Sequence, residues 1–203
     1  MRVAVTGSSG LIGASIFEAL SRDGHQVVRL VRGRARDNLS EIAWDPDGKI
    51  IDPDLLAGID AVIHLAGEPI DGYWWTRAKR RRIRDSRVQG TANLVNALLS
   101  MERKPDVLIS VSGISYYGDR GDEFLSEDSP AGVGFLAGIA ADWEAATRPA
   151  VDAGIRVVIP RLAPVISTSS QFIARLRLPV MLGVGAWFGS GRQYWPWISL
   201  DDD

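Results

Sequence analysis

The chain has 203 residues, of which 46% are hydrophobic and 24% are charged, and its 23 basic and 25 acidic residues give a net charge of −2. This composition is typical of a globular protein and disfavours a globally basic nucleic-acid binder. The absence of cysteine excludes disulfides and thiol catalysis, and a total of two histidines disfavours a histidine-rich metal site. With no apolar run of transmembrane length and no hydrophobic leader segment, we expect a cytoplasmic protein that has no membrane partner.

The N-terminal segment predicts a strand, a glycine turn and a helix. Arg2–Val5 is a short apolar run, the letters TGSSGLIG follow at once, and Ala14–Leu20 has helical spacing of its apolar residues. In this context Gly7 would allow a tight turn, Gly10 would let the backbone approach a pyrophosphate, and Gly13 would let the helix pack closely on the strand. The N–H groups of the helix start would face phosphates; a plain tight turn is the alternative. The cofactor contacts expected here are Gly7, Ser9, Gly10, Leu11, Ile12 and Gly13.

The residue at the end of the second strand indicates which dinucleotide would bind. The predicted strand Gln26–Val31 ends at Arg32, where an NAD site carries Asp or Glu to accept from the ribose hydroxyls. An arginine instead can hold a 2′-phosphate with two parallel donors, and Arg34 and Arg36 follow it. We therefore predict NADP(H) in preference to NAD(H). The alternative is that Arg32 is a solvated strand end and that either cofactor is accepted.

The rest of the chain predicts further strands that alternate with helices. This pattern indicates an α/β fold of the Rossmann type, a doubly wound parallel sheet with helices on both faces, whose ligands lie outside the C-terminal ends of the strands. Residues at those ends include Leu65–Gly67 and the loop from Ser112. The predicted elements are the strands Asp60–Leu65, Pro105–Val111 and Ile155–Ile159 and the helices Gln89–Leu99 and Ala137–Val151.

Several motifs, taken in order, resemble the atypical extended short-chain dehydrogenases/reductases: TGSSGLIG, HLAGEPI, WTRAKRRRIRDSR, SGISYYGDRGDEFLSEDSP, DWEAA and GSGRQYWPWISLDD. Members of this group are described as epimerase family or nucleoside-diphosphate-sugar-epimerase-like proteins, and some carry a cell-division-inhibitor label. The resemblance runs from Met1 to the C-terminus and implies a Rossmann fold with NADP(H) at the N-terminal glycines. The resemblance and the strand ends together give the remaining cofactor candidates: Arg32, Leu65, Ala66, Gly67, Arg87 and Val165.

The C-terminal part departs from the longer members of this group. We expect residues 1–165 to form an NAD(P)-binding Rossmann domain and residues 166–203 to be a remnant of the C-terminal substrate-binding part, so that the substrate lobe is largely missing. Relatives tend to have glycines after the strand that begins near Arg161, whereas this chain has Pro164, which lacks a backbone donor.

The proton-transfer residues of the superfamily are not found at their expected places. The usual reductase mechanism uses Tyr-x-x-x-Lys on a helix, where the lysine lowers the tyrosine pKa, together with a serine or threonine at a strand end. Counting back from Glu144, the tyrosine and lysine positions hold Leu136 and Ala140, neither of which can transfer a proton. Ser112 lies near the strand-end serine position and Tyr117 follows on the same loop, so these are the catalytic candidates. In the alternative reading both residues only shape the loop.

Two further residues near a strand end have competing interpretations. Glu68 is either an acid or base of the site or the partner of a nearby arginine. His64 lies inside a predicted strand, and we expect it to be a core histidine with satisfied hydrogen bonds.

The sequence as a whole favours an NADP(H)-binding, epimerase-like oxidoreductase or epimerase that acts on a small hydroxyl- or carbonyl-bearing substrate, for example a nucleotide sugar. The alternative is a non-catalytic NADP(H)-binding sensor or regulatory module. The basic run at residues 77–87 raises nucleic-acid binding as a competing hypothesis, which the slightly acidic total charge and the lack of interleaved aromatic residues disfavour. These motifs do not encode the oligomeric state.

Overall fold

The structure, a computed structural model, describes residues 1–36, 40–46, 53–70, 74–185 and 190–202. Short 3₁₀ helices occur at Pro53–Leu56, Ile114–Tyr117 and Leu200–Asp202. The strands and helices in chain order are β1 (Arg2–Thr6), α1 (Leu11–Arg22), β2 (Gln26–Arg32), β3 (Glu41–Trp44), β4 (Ala61–His64), α2 (Arg77–Leu99), β5 (Val107–Ser110), β6 (Ser112–Gly113), α3 (Phe135–Ala145), α4 (Arg148–Asp152), β7 (Arg156–Val158), β8 (Arg161–Leu162), β9 (Val165–Ile166), α5 (Gln171–Met181) and β10 (Ile198–Ser199).

A six-stranded parallel sheet forms the centre of the fold, in the order β3-β2-β1-β4-β5-β7. The chain first moves outward from β1 to β3, then returns to β4 beside β1 and moves outward in the opposite direction. This reversal makes the sheet doubly wound and confirms the predicted fold class. It also places a topological switch point between the C-terminal ends of β1 and β4, where ligands bind in sheets of this kind.

Two small parallel pairs extend the structure beyond the central sheet. Strand β6 pairs with β8, which joins Ser112 to Arg161 in register. Strand β9 pairs with β10, which joins Val165 to Ile198. Both pairs lie on the C-terminal side of the main strands, and their residues therefore stand beside the switch point.

The sheet is buried on both faces, and the strand residues alternate between two apolar clusters. Ala4, Val62 and Leu108 pack with Leu94 and Leu98 of α2 on one face. Val3, Val5 and Ile63 pack on the other face, against α1 residues that include Ile16 and Phe17. A parallel sheet covered on both faces needs such continuous apolar strands. Among the described residues, each helix is too short or too polar to cross a membrane.

Helix α2 begins at Arg77, well before the predicted start at Gln89. The apolar periodicity that predicted the helix is confined to its C-terminal half. In the basic half only Ile83 is buried, but arginine and lysine are good helix formers. The side chain of Thr76 caps the start by accepting from the Lys79 N–H at 3.2 Å.

The helix predicted over Ala137–Val151 is two helices, α3 and α4, and β3 was not predicted at all. The break falls near Thr147, whose hydroxyl donates to the Glu144 carbonyl at 2.7 Å, and Pro149 then begins a new first turn. Strand β3 has an alternating burial pattern, but its four residues are too few to be distinguished from a loop by pattern alone.

Candidate functional site

The turn between β1 and α1 requires glycine at two places. Gly7 has φ +68°, and a Cβ there would lie 2.9 Å from the carbonyl carbon of Leu65 on the neighbouring strand end. Gly13 is buried, and a Cβ on it would overlap the Gly7 carbonyl oxygen. The expected tight turn and close helix–strand packing are therefore both present.

Gly10 is the N-cap of α1 and has no side chain over the helix start. Its N–H donates to the Gly7 carbonyl at 2.9 Å, and the first intrahelical bond runs from Ala14 N to Gly10 O at 2.9 Å. The N–H groups of residues 11–13 precede that bond, so they have no acceptor within the helix. Gly10 and these three residues line a cavity, and the helix start thus presents free backbone donors to it.

The cavity has a volume of about 1250 Å³ and lies at the switch point of the sheet. Its wall combines the glycine turn, the loop from β6 to residue 125, one side of α3 and the segments 162–165 and 192–196. The predicted site residues that it brings together are Gly7, Gly10, Leu11, Ile12, Gly13, Leu65, Arg87, Ser112, Tyr117 and Val165. Within the described ranges, the predicted residues that lie outside its lining are Ser9, Arg32, Ala66 and Gly67.

Arg32 is exposed at the C-terminal end of β2, next to the end of β1. It makes no hydrogen bond or ion pair with the described residues, and neither does Arg34. Arg36 differs, because its guanidinium binds the Glu41 carboxylate with an Nη2–Oε1 distance of 2.6 Å, and this hydrogen bond raises the pKa of Arg36. Of the three arginines in this segment, Arg32 and Arg34 are therefore the ones whose guanidinium groups remain available to an anion.

Arg87 extends from α2 to the cavity wall. Its Nη1 donates to the carbonyl oxygens of Glu68 at 2.9 Å and Ile83 at 3.2 Å, and burial lowers its pKa. Its guanidinium carbon lies 5.2 Å from the centroid of the Trp143 ring, and a Cβ on Gly67 would approach that carbon to 3.3 Å. No carboxylate among the described residues forms an ion pair with this partly desolvated cation.

Glu68 holds cations outside the cavity wall. Its Oε1 accepts from Lys79 Nζ at 2.9 Å and from Arg82 Nε at 3.3 Å. The hydrogen bond from Lys79 lowers the pKa of Glu68 despite partial desolvation. Of its two interpretations, the structure therefore favours the ion-pair partner.

The two catalytic candidates stand on the same wall in different environments. Ser112 is buried, and its Oγ has no hydrogen-bond partner among the described residues. Tyr117 ends the 3₁₀ helix after β6, and its hydroxyl oxygen accepts from Nη1 of Arg161 at 2.9 Å.

The sequence reading missed the pair formed by Arg161 and Glu144. Nε and Nη2 of Arg161 each donate to one carboxylate oxygen of Glu144 at 2.9 Å, and this hydrogen bonding raises the pKa of Arg161. The guanidinium carbon also lies 3.6 Å from the centroid of the Tyr116 ring. The partners come from α3 and β8, so local spacing in the sequence carries no signal for the pair.

Helix α3 presents apolar residues where the superfamily places its tyrosine and lysine. Leu136 and Ala140 both line the cavity. The two positions where a tyrosine and a lysine are expected are therefore on the cavity wall, and both carry apolar side chains. Trp143 lies on the same wall, and its Nε1 is buried without a partner among the described residues.

His64 is a buried residue at the C-terminal end of β4, next to the switch point. Thr6 Oγ1 accepts from the N–H groups of Leu65 at 3.0 Å and Ala66 at 3.1 Å, so its own proton goes to His64 Nδ1 at 2.8 Å. His64 Nε2 then carries the ring proton and donates to Thr91 Oγ1 at 3.0 Å. Burial lowers the pKa of His64 to about 4. The expected satisfied core histidine is confirmed. In the described part of the chain, no group of acidic or histidine side chains is arranged to hold a metal ion.

The reversed strand order, the glycine turn and the cavity at the switch point define a Rossmann-type α/β protein. Residues 3–202 match the NAD dependent epimerase/dehydratase family, and the chain belongs to that family.

The chain is similar to several proteins of known sequence or structure. It is 42% identical over 201 residues to an epimerase family protein of Mycobacterium bovis; the match covers 99% of this chain and 66% of that protein. It is 37% identical to the crystal structure of a nucleoside-diphosphate sugar epimerase from Corynebacterium glutamicum, with a TM-score of 0.85, over 100% of this chain and 41% of that one. It is 30% identical to the human epimerase family protein SDR39U1 crystallised with NADPH, with a TM-score of 0.84, over 100% of this chain and 67% of that one. The chain thus spans about 66% of the length of the mycobacterial relative.

Proposed function

We propose that the chain binds NADP(H) at the switch point, with the diphosphate at the start of α1. The observation that carries this proposal is the glycine turn: Gly7 and Gly13 hold β1 and α1 so close together that the helix start opens directly into the cavity. Free N–H groups at a helix start attract phosphate through hydrogen bonds and the helix dipole. The human relative that was crystallised with NADPH supports the same assignment.

Arg32 gives the site its preference for NADP(H). It stands at the end of β2, where the ribose nearest the adenine lies in Rossmann-type sites, and its guanidinium has no competing carboxylate among the described residues. An unpaired arginine can donate two hydrogen bonds to a 2′-phosphate, whereas it offers NAD(H) no acceptor for the ribose hydroxyl protons. Ser9, Ala66 and Gly67 remain proposed contacts beside the turn.

The chemistry that we propose is oxidoreduction or epimerisation at a hydroxyl- or carbonyl-bearing carbon of a small substrate, such as a nucleotide sugar. When bound, a nicotinamide supplies hydride transfer to or from such a carbon. Tyr117 and Ser112 line the same cavity, and Tyr117 exchanges its phenolic proton with the substrate oxygen. Arg161 donates to the Tyr117 oxygen at 2.9 Å and so holds the phenol in place beside the cavity.

The second candidate function is a non-catalytic NADP(H) sensor. It is favoured by Leu136 and Ala140, which place apolar groups on the wall where the superfamily has its proton-transfer pair. Turnover of a hydroxyl- or carbonyl-bearing substrate by the wild type separates the two functions, because the sensor has none. Tyr117→Phe then tests the residue: a loss of turnover with unchanged NADPH affinity supports its role in proton transfer, and unchanged turnover removes Tyr117 from the chemistry. We also propose the division into a Rossmann domain, residues 1–165, and a substrate-binding remnant, residues 166–203.

Dinucleotide binding at the turn is tested by calorimetric titration with NADPH. Gly10→Asp puts a carboxylate at the helix start, and since a Cβ at this position meets only the Gly7 carbonyl, at 3.3 Å, the fold should survive. We expect one site per wild-type chain and no measurable binding by the variant. Gly138→Asp is the control, because a Cβ there meets nothing within 4 Å, and it should bind like the wild type. Equal binding by Gly10→Asp would overturn the placement of the diphosphate.

A further inference from the structure

Two buried hydrogen-bond donors on the cavity wall have no partner among the described residues. Ser112 is 3% exposed and Trp143 is 8% exposed, and both line the cavity. Their Oγ and Nε1 atoms are among the four such buried side-chain atoms in the described part of the chain. The other two belong to guanidinium groups, which have further N–H groups, whereas Ser112 and Trp143 have one polar side-chain atom each.

A buried donor without an acceptor is unfavourable, and folded proteins rarely keep one without a reason. Ser112 begins β6, and α3, which carries Trp143, packs against that strand. The two donors therefore belong to neighbouring elements of one wall. Such a pair indicates that a ligand supplies the acceptor that the described residues do not provide.

The charge around Trp143 indicates what that acceptor is. The Arg87 guanidinium lies over the Trp143 ring, 5.2 Å from its centroid, and forms no ion pair with a carboxylate of the described residues. The acidic residues of the cavity wall all belong to another segment, the loop at residues 119–123. The wall that holds Trp143 thus combines an indole N–H, a serine hydroxyl and a positive charge. This set of donors suits an anionic oxygen group better than a neutral one.

We propose that Trp143 Nε1 and Ser112 Oγ donate hydrogen bonds to the oxygen atoms of one bound anionic group, a phosphate or a carboxylate, held beside Arg87. This inference rests on the proposed function in taking the cavity to be the ligand site. The group comes either from the dinucleotide or from an acidic second ligand. Trp143 is then a binding residue. It lies one helical turn from Ala140, which occupies the position where the superfamily has its lysine.

The sharpest variant is Trp143→Phe, which keeps an aromatic ring under Arg87 and removes the N–H donor together with the second ring of the indole. The matched control is Trp74→Phe, because Trp74 is 86% exposed and does not line the cavity. Wild type, both tryptophan variants and Ser112→Ala are compared after near-ultraviolet circular dichroism has confirmed the same fold. The indole N–H resonance of Trp143 is assigned by its loss in Trp143→Phe.

The resonance is followed during titration with three probes: NADPH, inorganic phosphate and acetate, the last two added to NADPH-saturated protein. A saturable shift with NADPH identifies the dinucleotide as the source, and a shift only with phosphate or acetate identifies a second ligand. We expect Trp143→Phe and Ser112→Ala each to weaken binding of the effective probe about tenfold, and the double variant to weaken it by less than the product. Trp74→Phe should not change it.

Two results overturn the inference: a Trp143 resonance that none of the three probes moves, or unchanged affinity of Trp143→Phe for the probe that does move it. A failure of the proposed function looks different, because NADPH would then leave the amide resonances of the glycine turn unchanged in the wild type. The phosphate and acetate titrations, repeated without NADPH, would still test Trp143 in that case.

Discussion

The hydroxyl oxygen of Tyr117 lies 2.9 Å from Nη1 of Arg161, and the same guanidinium binds both carboxylate oxygens of Glu144. This arrangement connects the loop after β6, strand β8 and helix α3 around one side of the cavity. Arg161 on β8 thus places a cation beside the phenol of Tyr117, whereas the position on α3 that is expected to carry a lysine is Ala140. A tyrosine–cation pair is thus present in an arrangement that differs from the superfamily pattern.

The Arg161–Glu144 pair should contribute strongly to stability. The two side chains are 18% and 13% exposed, and removing one partner leaves a poorly solvated charge. We expect Glu144→Ala to lower the free energy of unfolding by about 3 kcal/mol in urea titrations. Asp152→Ala is the control: its pair with Arg148 has side chains that are 62% and 75% exposed, and the loss should be at most about 0.5 kcal/mol. Similar small losses in both variants would show that the Arg161–Glu144 pair is effectively solvated.

Gly13 should tolerate no side chain. A Cβ there overlaps the Gly7 carbonyl oxygen, and that backbone is held by β1 and the Leu65 strand end. We expect Gly13→Ala to lower the free energy of unfolding by about 2 kcal/mol or more, as in other overpacked positions. Gly138→Ala, in α3 with nothing within 4 Å of its Cβ, should instead stabilise the chain by about 0.5–1 kcal/mol. Equal unfolding curves for wild type and Gly13→Ala would refute the close packing of α1 on β1.

His64 should make the protein less stable in mild acid. Burial lowers its pKa from 6.5 to about 4, so the unfolded chain binds more protons than the folded one between these two values. Stability is therefore lost as the pH falls through this window. Between pH 7 and pH 5 the loss that His64 causes should reach about 2 kcal/mol, which is about 1.4 kcal/mol for each pH unit below 6.5.

The test for His64 compares unfolding in urea at pH 7 and pH 5. His64→Gln keeps an amide between Thr6 and Thr91 but does not titrate, so its free energy of unfolding should change less between the two pH values than that of the wild type. His25→Gln, which alters the other histidine, should retain the wild-type dependence. An equally steep dependence in His64→Gln would assign the effect to other groups.

Arg32 should determine the choice between the two dinucleotides. Removing its two-donor contact with a 2′-phosphate should weaken NADPH binding by about tenfold or more, since hydrogen bonds to charged groups contribute about 1.5–3 kcal/mol. NADH binding should change little in Arg32→Ala. Arg22→Ala, another exposed arginine of the same strand–helix unit, should bind both dinucleotides like the wild type. If Arg32→Ala lowers both affinities equally, the residue acts on something that the two cofactors share.

The sequence predicts the first half of the fold better than the second. The strand, glycine turn and helix at residues 2–22 could be predicted from the local sequence. The glycines stand between an apolar run and a helical pattern, and this order indicates a tight turn. The basic half of α2 was missed because it buries little beyond Ile83, so apolar spacing marks only its other half. The break at Thr147 depends on a hydroxyl bond to the Glu144 carbonyl and on the following proline.

The candidate site likewise has one part that the sequence predicts and another part that it does not. The glycine turn and the placement of Ser112 and Tyr117 on one cavity wall could be anticipated, because parallel strands end at one edge of a sheet. The Arg161–Glu144 pair and the unpartnered donors of Ser112 and Trp143 could not. They depend on how α3 packs against β6 and β8, which is a property of three-dimensional packing between segments far apart in the sequence.

The measurement that tests the proposed function most directly is a parallel calorimetric titration of the folded wild-type chain with NADPH and NADH. We expect one site per chain and NADPH affinity at least about tenfold higher than NADH affinity, from the contact with Arg32. Equal affinities would retain the dinucleotide site and contradict the role of Arg32. A chain that is folded by circular dichroism and binds neither dinucleotide would contradict the proposed function itself.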